Sequence, residues 1–233
     1  MTDIPRLSII IPTLDEAATI EELLTRLTPW EADGVEGMET VVVDGGSLDD
    51  TVARARPLAS MVIVSEPGRA RQMNAGAREA RGDHLLFLHA DTRLPRGADR
   101  LIASALADGH CWGRFDVRLE GHHLLLPVIA VAMNLRSRLT GIATGDQGLF
   151  MTREAFDAAG GFPDQPLMED IEMSRRLKRQ SPPACLTEKV ASSGRRWDQQ
   201  GAWTTIRLMW RLRWRYWRGV TADDLARAYR HVR

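Results

Sequence analysis

The chain of 233 residues has only two cysteines, Cys111 and Cys185, far apart in sequence. So few thiols exclude a disulfide-built scaffold, and a reducing cytosol is the simpler setting. Long hydrophobic runs are also missing. The longest, Leu124–Met133, is interrupted by Pro127 and falls well short of the ~20 residues that a membrane-spanning helix needs. The opening segment Met1-Thr2-Asp3-Ile4-Pro5 has neither a basic region nor a long apolar one, so no signal peptide is expected. There is no internal repeat, low-complexity tract or evident linker. Net charge is absent too: 31 basic residues balance 31 acidic ones.

That balance hides an asymmetry. From Ser192 to Arg233 there are ten arginines against three acids, Asp198, Asp223 and Asp224. The same stretch holds Trp197, Trp203, Trp210, Trp214 and Trp217, five of the seven tryptophans. A composition shift of this size marks a separate functional surface. The ordinary apolar content of 44% allows one domain with a sizeable core and a helical appendage.

Along the first half, strand and helix signals alternate. Leu7–Ile11, Glu39–Val43, Met61–Val64 and Leu85–Leu88 read as strands. Glu16–Leu27 and Arg69–Ala80 read as helices, and Ser47-Leu48-Asp49-Asp50 as a helix start. Near-continuous apolar strands between helices imply an α/β fold with a mostly parallel sheet covered on both faces. In the second half, Cys111–Leu119 and Gly148–Thr152 read as strands. Leu124–Leu139, Arg153–Ala159, Glu169–Lys178, Ala202–Trp217 and Ala222–Tyr229 read as helices.

Ligands of such sheets bind beyond the carboxyl ends of the strands. Pro12-Thr13-Leu14-Asp15-Glu16 follows strand one, Asp44-Gly45-Gly46-Ser47 follows strand two, and His89-Ala90-Asp91-Thr92 follows strand four. Each places a carboxylate at one rim. Carboxylates accept the donors of a base or ribose, and they hold hard cations that in turn hold a diphosphate. After strand three, Gly68-Arg69-Ala70-Arg71 opens a helix, where anions are favoured. Taken singly, each cluster is equally an acidic turn, a helix cap or a solvated basic face; the ordered set carries the signal.

Together with Gly145-Asp146-Gln147-Gly148 and Met168-Glu169-Asp170, these segments resemble a family 2 glycosyltransferase with a GT-A fold over about residues 5–180. The forms Asp44-Gly45-Gly46-Ser47 and Gly68-Arg69-Ala70-Arg71-Gln72-Met73-Asn74 are similar to a bacterial subgroup associated with radical-SAM genes. The resemblance implies a Rossmann-like donor half at about 1–95, an acceptor half at about 96–190 and a basic, tryptophan-rich helical extension at 191–233. It implies an inverting, hexosyl-type transfer from a nucleoside-diphosphate sugar to an acceptor hydroxyl, assisted by Mn2+ or Mg2+. Pro12, Leu14, Glu16, Asp44, Arg71 and Asp91 would line the donor site, with Asp91 the metal ligand. His89 stands where the family's metal motif has its first aspartate, and an imidazole there would favour manganese. Asp170 would be the catalytic base, and Asp146, Gln147 and Glu169 would contact the sugar or acceptor.

Three readings of the tail stand. Trp203, Ile206, Trp210, Trp214 and Trp217 form one helical stripe flanked by arginines, which suits a membrane surface and a lipid-linked acceptor. The stripe would equally pack on the domain or pair two subunits. The resulting location is cytoplasmic, or peripheral on the inner face of the membrane. Arg195-Arg196-Trp197, just before it, would reach the donor diphosphate. Other classes are a sugar-phosphate nucleotidyltransferase, a nucleotide- or membrane-binding protein without transferase activity, and a nucleic-acid-binding module. Against the first, no Gly-rich basic phosphate loop follows strand one. Against the last, the body of the chain is acidic.

Overall fold

The computed structural model describes residues 7–32 and 37–230. Its first half alternates β1 (Leu7–Thr13), α1 (Ile20–Ala32), β2 (Met38–Asp44), α2 (Thr51–Ala55), β3 (Met61–Val64), α3 (Arg69–Glu79) and β4 (His84–Phe87). β2, β1 and β4 lie side by side in parallel, with β3 parallel on the outer side of β2. Their side chains alternate between two cores, which explains why the strands are apolar at consecutive positions. Ile9, Ile11, Val42, Leu86 and Leu88 pack with Ile20, Leu23, Leu24 and Leu27 of α1 on one face. Ile10, Val41, Val43, Leu85 and Phe87 pack with Ala70, Met73 and Ala77 of α3 on the other. Gly76 lets α3 lie close: a Cβ there would stand 2.6 Å from Ile10 and 2.8 Å from Val43 side-chain carbons.

The second half runs β5 (Thr92–Arg93), α4 (Ala98–Ala107), β6 (Trp112–Glu120), α5 (Leu126–Thr140), a 3-10 turn at Gly145–Gln147, β7 (Leu149–Thr152), α6 (Arg153–Ala158), α7 (Glu169–Leu177) and β8 (Ala184–Ser193). The single sheet has the order β3-β2-β1-β4-β7-β6-β8-β5. β7 is antiparallel to both neighbours, β8 is parallel to β6, and β5 is antiparallel to β8. The parallel character is thus concentrated in the first half. Sequence reasoning had no counterpart for α4, β5 or β8. β5 has two residues, and β8 exposes Thr187, Glu188 and Lys189 in mid-strand, so neither has an apolar run. In α4 two of the four buried positions are alanine, which weakens its apolar signal.

The chain then forms α8 (Arg195–Gln200), α9 (Ala202–Trp217) and α10 (Ala222–Arg230). Leu212 of α9 and Leu225 of α10 share a small core with Met168 and Ile171 beside α7. Trp203, Trp210, Trp214 and Trp217 face outward and are 58–76% exposed. Ile206, expected on the same stripe, turns inward and packs against the first core with Trp197. A second outward stripe, Leu124, Val128, Val131, Leu135 and Leu139, runs along α5. No helix among the described residues is long and apolar enough to cross a membrane. Cys111 and Cys185 are both free thiols.

Candidate active site

The loops after β1 and β2 are tied into one platform. The Asp15 amide donates to Ser47 Oγ at 2.9 Å, and the Leu48 amide donates to Asp15 Oδ1 at 2.8 Å. The Glu16 amide donates to Thr51 Oγ1 at 2.8 Å. Asp15 is held at φ +53°, in the left-handed region that non-glycine residues seldom occupy. Asp44 is buried, and its carboxylate accepts the amides of Gly46 and Ser47, both at 2.8 Å, and the Ser47 hydroxyl. The carboxylate therefore shapes the turn after β2. Under it, the buried Gln72 amide donates to the carbonyls of Thr13, at 2.7 Å, and Val43, at 2.8 Å. Gln72 staples the ends of β1 and β2. In sequence Gln72 is one polar residue of the segment after strand three, and only a helix packed over two strand ends reveals this role.

Pro12 is partly buried and Leu14 is half-exposed at the same rim. Asp91 follows β4 with its side chain partly open to solvent. The short β5–β8 pairing sets Thr92 against Ser192, and this delivers Arg195, just beyond β8, to the rim. Arg195 Nη2 donates to Glu16 Oε1 at 3.1 Å and stands 3.7 Å from Asp91 Oδ2. The pre-tail arginine foreseen for the diphosphate thus already bridges two of the rim's acids. Arg71 points elsewhere: its guanidinium pairs with Asp164 at 2.8 Å and Glu66 at 2.9 Å.

A chain of contacts leads from His89, two residues before Asp91, to Asp170. His89 Nδ1 lies 3.3 Å from Asp146 Oδ1, and a Cβ on Gly145 would stand 2.4 Å from His89 Nε2. His89 is thus seated on the 3-10 turn. Burial pushes the Asp146 carboxyl up, but the His89 hydrogen bond and the charges of His89, Arg69 and Arg196 hold it below its ordinary value. Gln147 is fully buried, with its amide spent on Thr144 and Asn134. It shapes the turn, while Asp146 is the member of the pair that reaches solvent.

From the same turn, the Gly145 amide donates to Asp170 Oδ2 at 3.0 Å. Asp170 and Glu169 begin α7, where acids are favoured by the exposed amides. Glu169 is buried and pairs with Arg69 Nη1 at 3.2 Å. Burial first, then the neighbouring Glu169 charge, push the Asp170 carboxyl up to about 6, against the Gly145 and Ile171 amides and Arg69. Met168, just before it, is at φ +66° and buried in the third core. Asp15 and Met168 are the two non-glycine residues at positive φ among those described, and both adjoin the site, as stored strain often does.

The eight-stranded α/β architecture, with these acids at one rim, is that of the GT-A glycosyltransferases. The family model for glycosyl transferase family 2 matches residues 8–156, and the chain belongs to that family. It is 30% identical over 207 residues to the succinoglycan biosynthesis protein ExoA of Rhizobium meliloti, covering 78% of this chain and 61% of that protein. Among solved structures, it is similar to the mannosyltransferase PcManGT of Pyrobaculum calidifontis in complex with GDP-Man and Mn2+. The TM-score is 0.62 at 26% identity, covering 82% of this chain and 57% of that one. S. aureus TarS 1–349 with UDP shares the fold, with a TM-score of 0.64 at 20% identity over 81% of this chain and 60% of that one. The chain thus spans about three fifths of the length of these relatives.

Proposed function

We propose that this chain transfers a hexosyl group from a nucleoside-diphosphate sugar to an acceptor hydroxyl, with inversion, and that Asp170 is the base. The donor half at 1–95 binds the nucleotide, the acceptor half at 96–190 the second substrate, and 191–233 forms an extension. The observation that carries the reading is Asp170. Its carboxyl is pushed up to about 6 at the start of α7 and is joined through Gly145, Asp146 and His89 to the strand end that bears Asp91. A base poised near neutrality is what deprotonation of a hydroxyl calls for.

Pro12, Leu14 and Glu16 form the nucleotide wall, and Asp44 builds the turn beneath it. Arg71 joins the donor only by leaving Glu66 and Asp164. The acceptor O–H gives its proton to Asp170 as its oxygen attacks the anomeric carbon. The bond from that carbon to the diphosphate oxygen breaks on the opposite face, and the nucleoside diphosphate leaves. Asp146 and Glu169 orient hydroxyls, Glu169 with Arg69 as its counter-ion, while Gln147 keeps the turn in shape. Arg195 exchanges Glu16 and Asp91 for the departing diphosphate.

The donor set fits a divalent cation of the Mn2+ or Mg2+ kind. Among the described residues no group of three or more His, Cys, Asp or Glu could hold a metal ion alone. Asp91 is a hard oxygen ligand on the open rim, and such ions commonly take one or two carboxylates and complete their shell with phosphates and water. His89 is engaged by Asp146 and is left out. A bound cation supplies positive charge to the leaving diphosphate.

Release of nucleoside diphosphate from a panel of UDP-, GDP- and dTDP-sugars with Mn2+ tests the reading. Metal-dependent release with at least one donor is expected; no binding and no release with any of them would sink it. A second proposal concerns location. The exposed tryptophans of α9, with Arg207, Arg211 and Arg218 also exposed among them, suit an anionic membrane surface and a lipid-linked acceptor. Flotation with anionic liposomes at low salt is expected. A protein that stays in the soluble fraction and runs as a dimer would instead favour pairing of subunits through the tail.

A further inference from the structure

Two arginines at the β6–α5 contact have different environments. Arg114 of β6, fully buried against α5, is satisfied: it pairs with Asp116 and donates to Ser137 Oγ at 3.1 Å and to the Asn134 carbonyl at 3.3 Å. Arg136, on α5 itself, is not. Its Nε and Nη2 are buried and have no hydrogen-bond partner among the described residues. α5 is tied to the 3-10 turn of Asp146, since Gln147 donates to Asn134 Oδ1 at 3.4 Å; burial and the Arg114 charge pull the Arg136 guanidinium below its ordinary value, while Asp170 and Asp146, the two carboxylates of the proposed acceptor side, hold it up. Neither is in ion-pair contact with it. A buried, unpaired guanidinium costs stability unless something pairs it. Its planar donor fork matches a phosphate.

We propose that Arg136 receives a phosphoryl group of the acceptor, so that the acceptor is a phosphomonoester whose hydroxyl is presented to Asp170. The inference rests on Asp170 marking the acceptor side, but its test uses neither donor nor turnover. A failed Asp170→Asn assay and a failed phosphate titration are therefore separate results.

The probe is inorganic phosphate, titrated calorimetrically into the full chain without metal, with chloride at matched ionic strength as control. Saturable binding is expected. Arg136→Met should weaken it by about tenfold or more, Arg136→Lys should weaken it less, and the surface variant Arg78→Met should leave it unchanged. In phosphate-free buffer Arg136→Met should also melt higher than wild type, because an apolar side chain replaces an unpaired charge. Phosphate binding that is equal in wild type and Arg136→Met, or a response matched by chloride, would overturn the assignment. If Arg136→Met does not fold, Arg136→Lys carries the same comparison. Flotation with phosphatidic-acid vesicles then separates the sources: loss in Arg136→Met assigns the phosphate to a lipid, and retention assigns it to a soluble acceptor.

Discussion

Asp170→Asn removes the proposed base while keeping the shape of the side chain. Its carboxyl is shifted from 3.8 to about 6. At roughly 1.4 kcal/mol per unit, the two-unit shift corresponds to about 3 kcal/mol between the two protonation states. The folded carboxyl holds its proton more tightly than the unfolded one. Wild type therefore has this group's full stabilisation below the unfolded value near 4, and loses it as the pH climbs through about 6. Asparagine has no such dependence. Urea midpoints of the two proteins should diverge across that window in favour of the variant, by up to about 3 kcal/mol, and run parallel above it. In the same window kcat/KM of wild type should rise with pH to a plateau. Transfer by the variant should fall by roughly a hundredfold to ten-thousandfold, while donor binding persists. Parallel stability profiles across pH would refute the burial argument, and retained transfer would refute the role as base.

Gly76→Ala forces a Cβ to 2.6 Å from Ile10, between α3 and the sheet, and should cost about 1–3 kcal/mol by overpacking, read from the urea midpoint. Gln72→Leu removes both amide bonds to the β1 and β2 ends. It should cost about 1–3 kcal/mol and raise donor KM more than it lowers kcat. Arg195→Met takes the cation from between Glu16 and Asp91. Calorimetry should find Mn2+ bound more tightly in the absence of donor and nucleoside diphosphate bound more weakly; unchanged nucleotide affinity would remove Arg195 from the donor site.

Much of the donor half is legible in sequence because each parallel strand carries an uninterrupted apolar run of three or more residues that ends in polar ones. Ile9 and Ile10 face opposite cores, so neither can be polar. The acceptor half is harder to read. β8 exposes Thr187, Glu188 and Lys189 in a row before burying Val190, Ala191 and Ser192, so it shows no alternation, and β5 is a two-residue strand visible only through its pairing with β8. Residues proposed to act through side-chain chemistry, such as Asp91 and Asp170, are candidates by type and position alone. Residues that act through partners are not legible in this way. Nothing in the sequence shows that the Gln147 amide bonds Thr144 and Asn134, or that the Arg71 guanidinium pairs with Asp164. Likewise, Arg136 in an apolar helix gives no sign in sequence that its guanidinium is buried and unpaired.

The most direct test of the central claim is a crystal structure of the chain with a nucleoside-diphosphate sugar and Mn2+. The account predicts the nucleotide beyond the ends of β1 and β2, the metal bound by Asp91 and both phosphates, and the anomeric carbon open toward Asp170. A nucleotide bound elsewhere, or one at this rim with Asp91 outside the metal's shell, would contradict it.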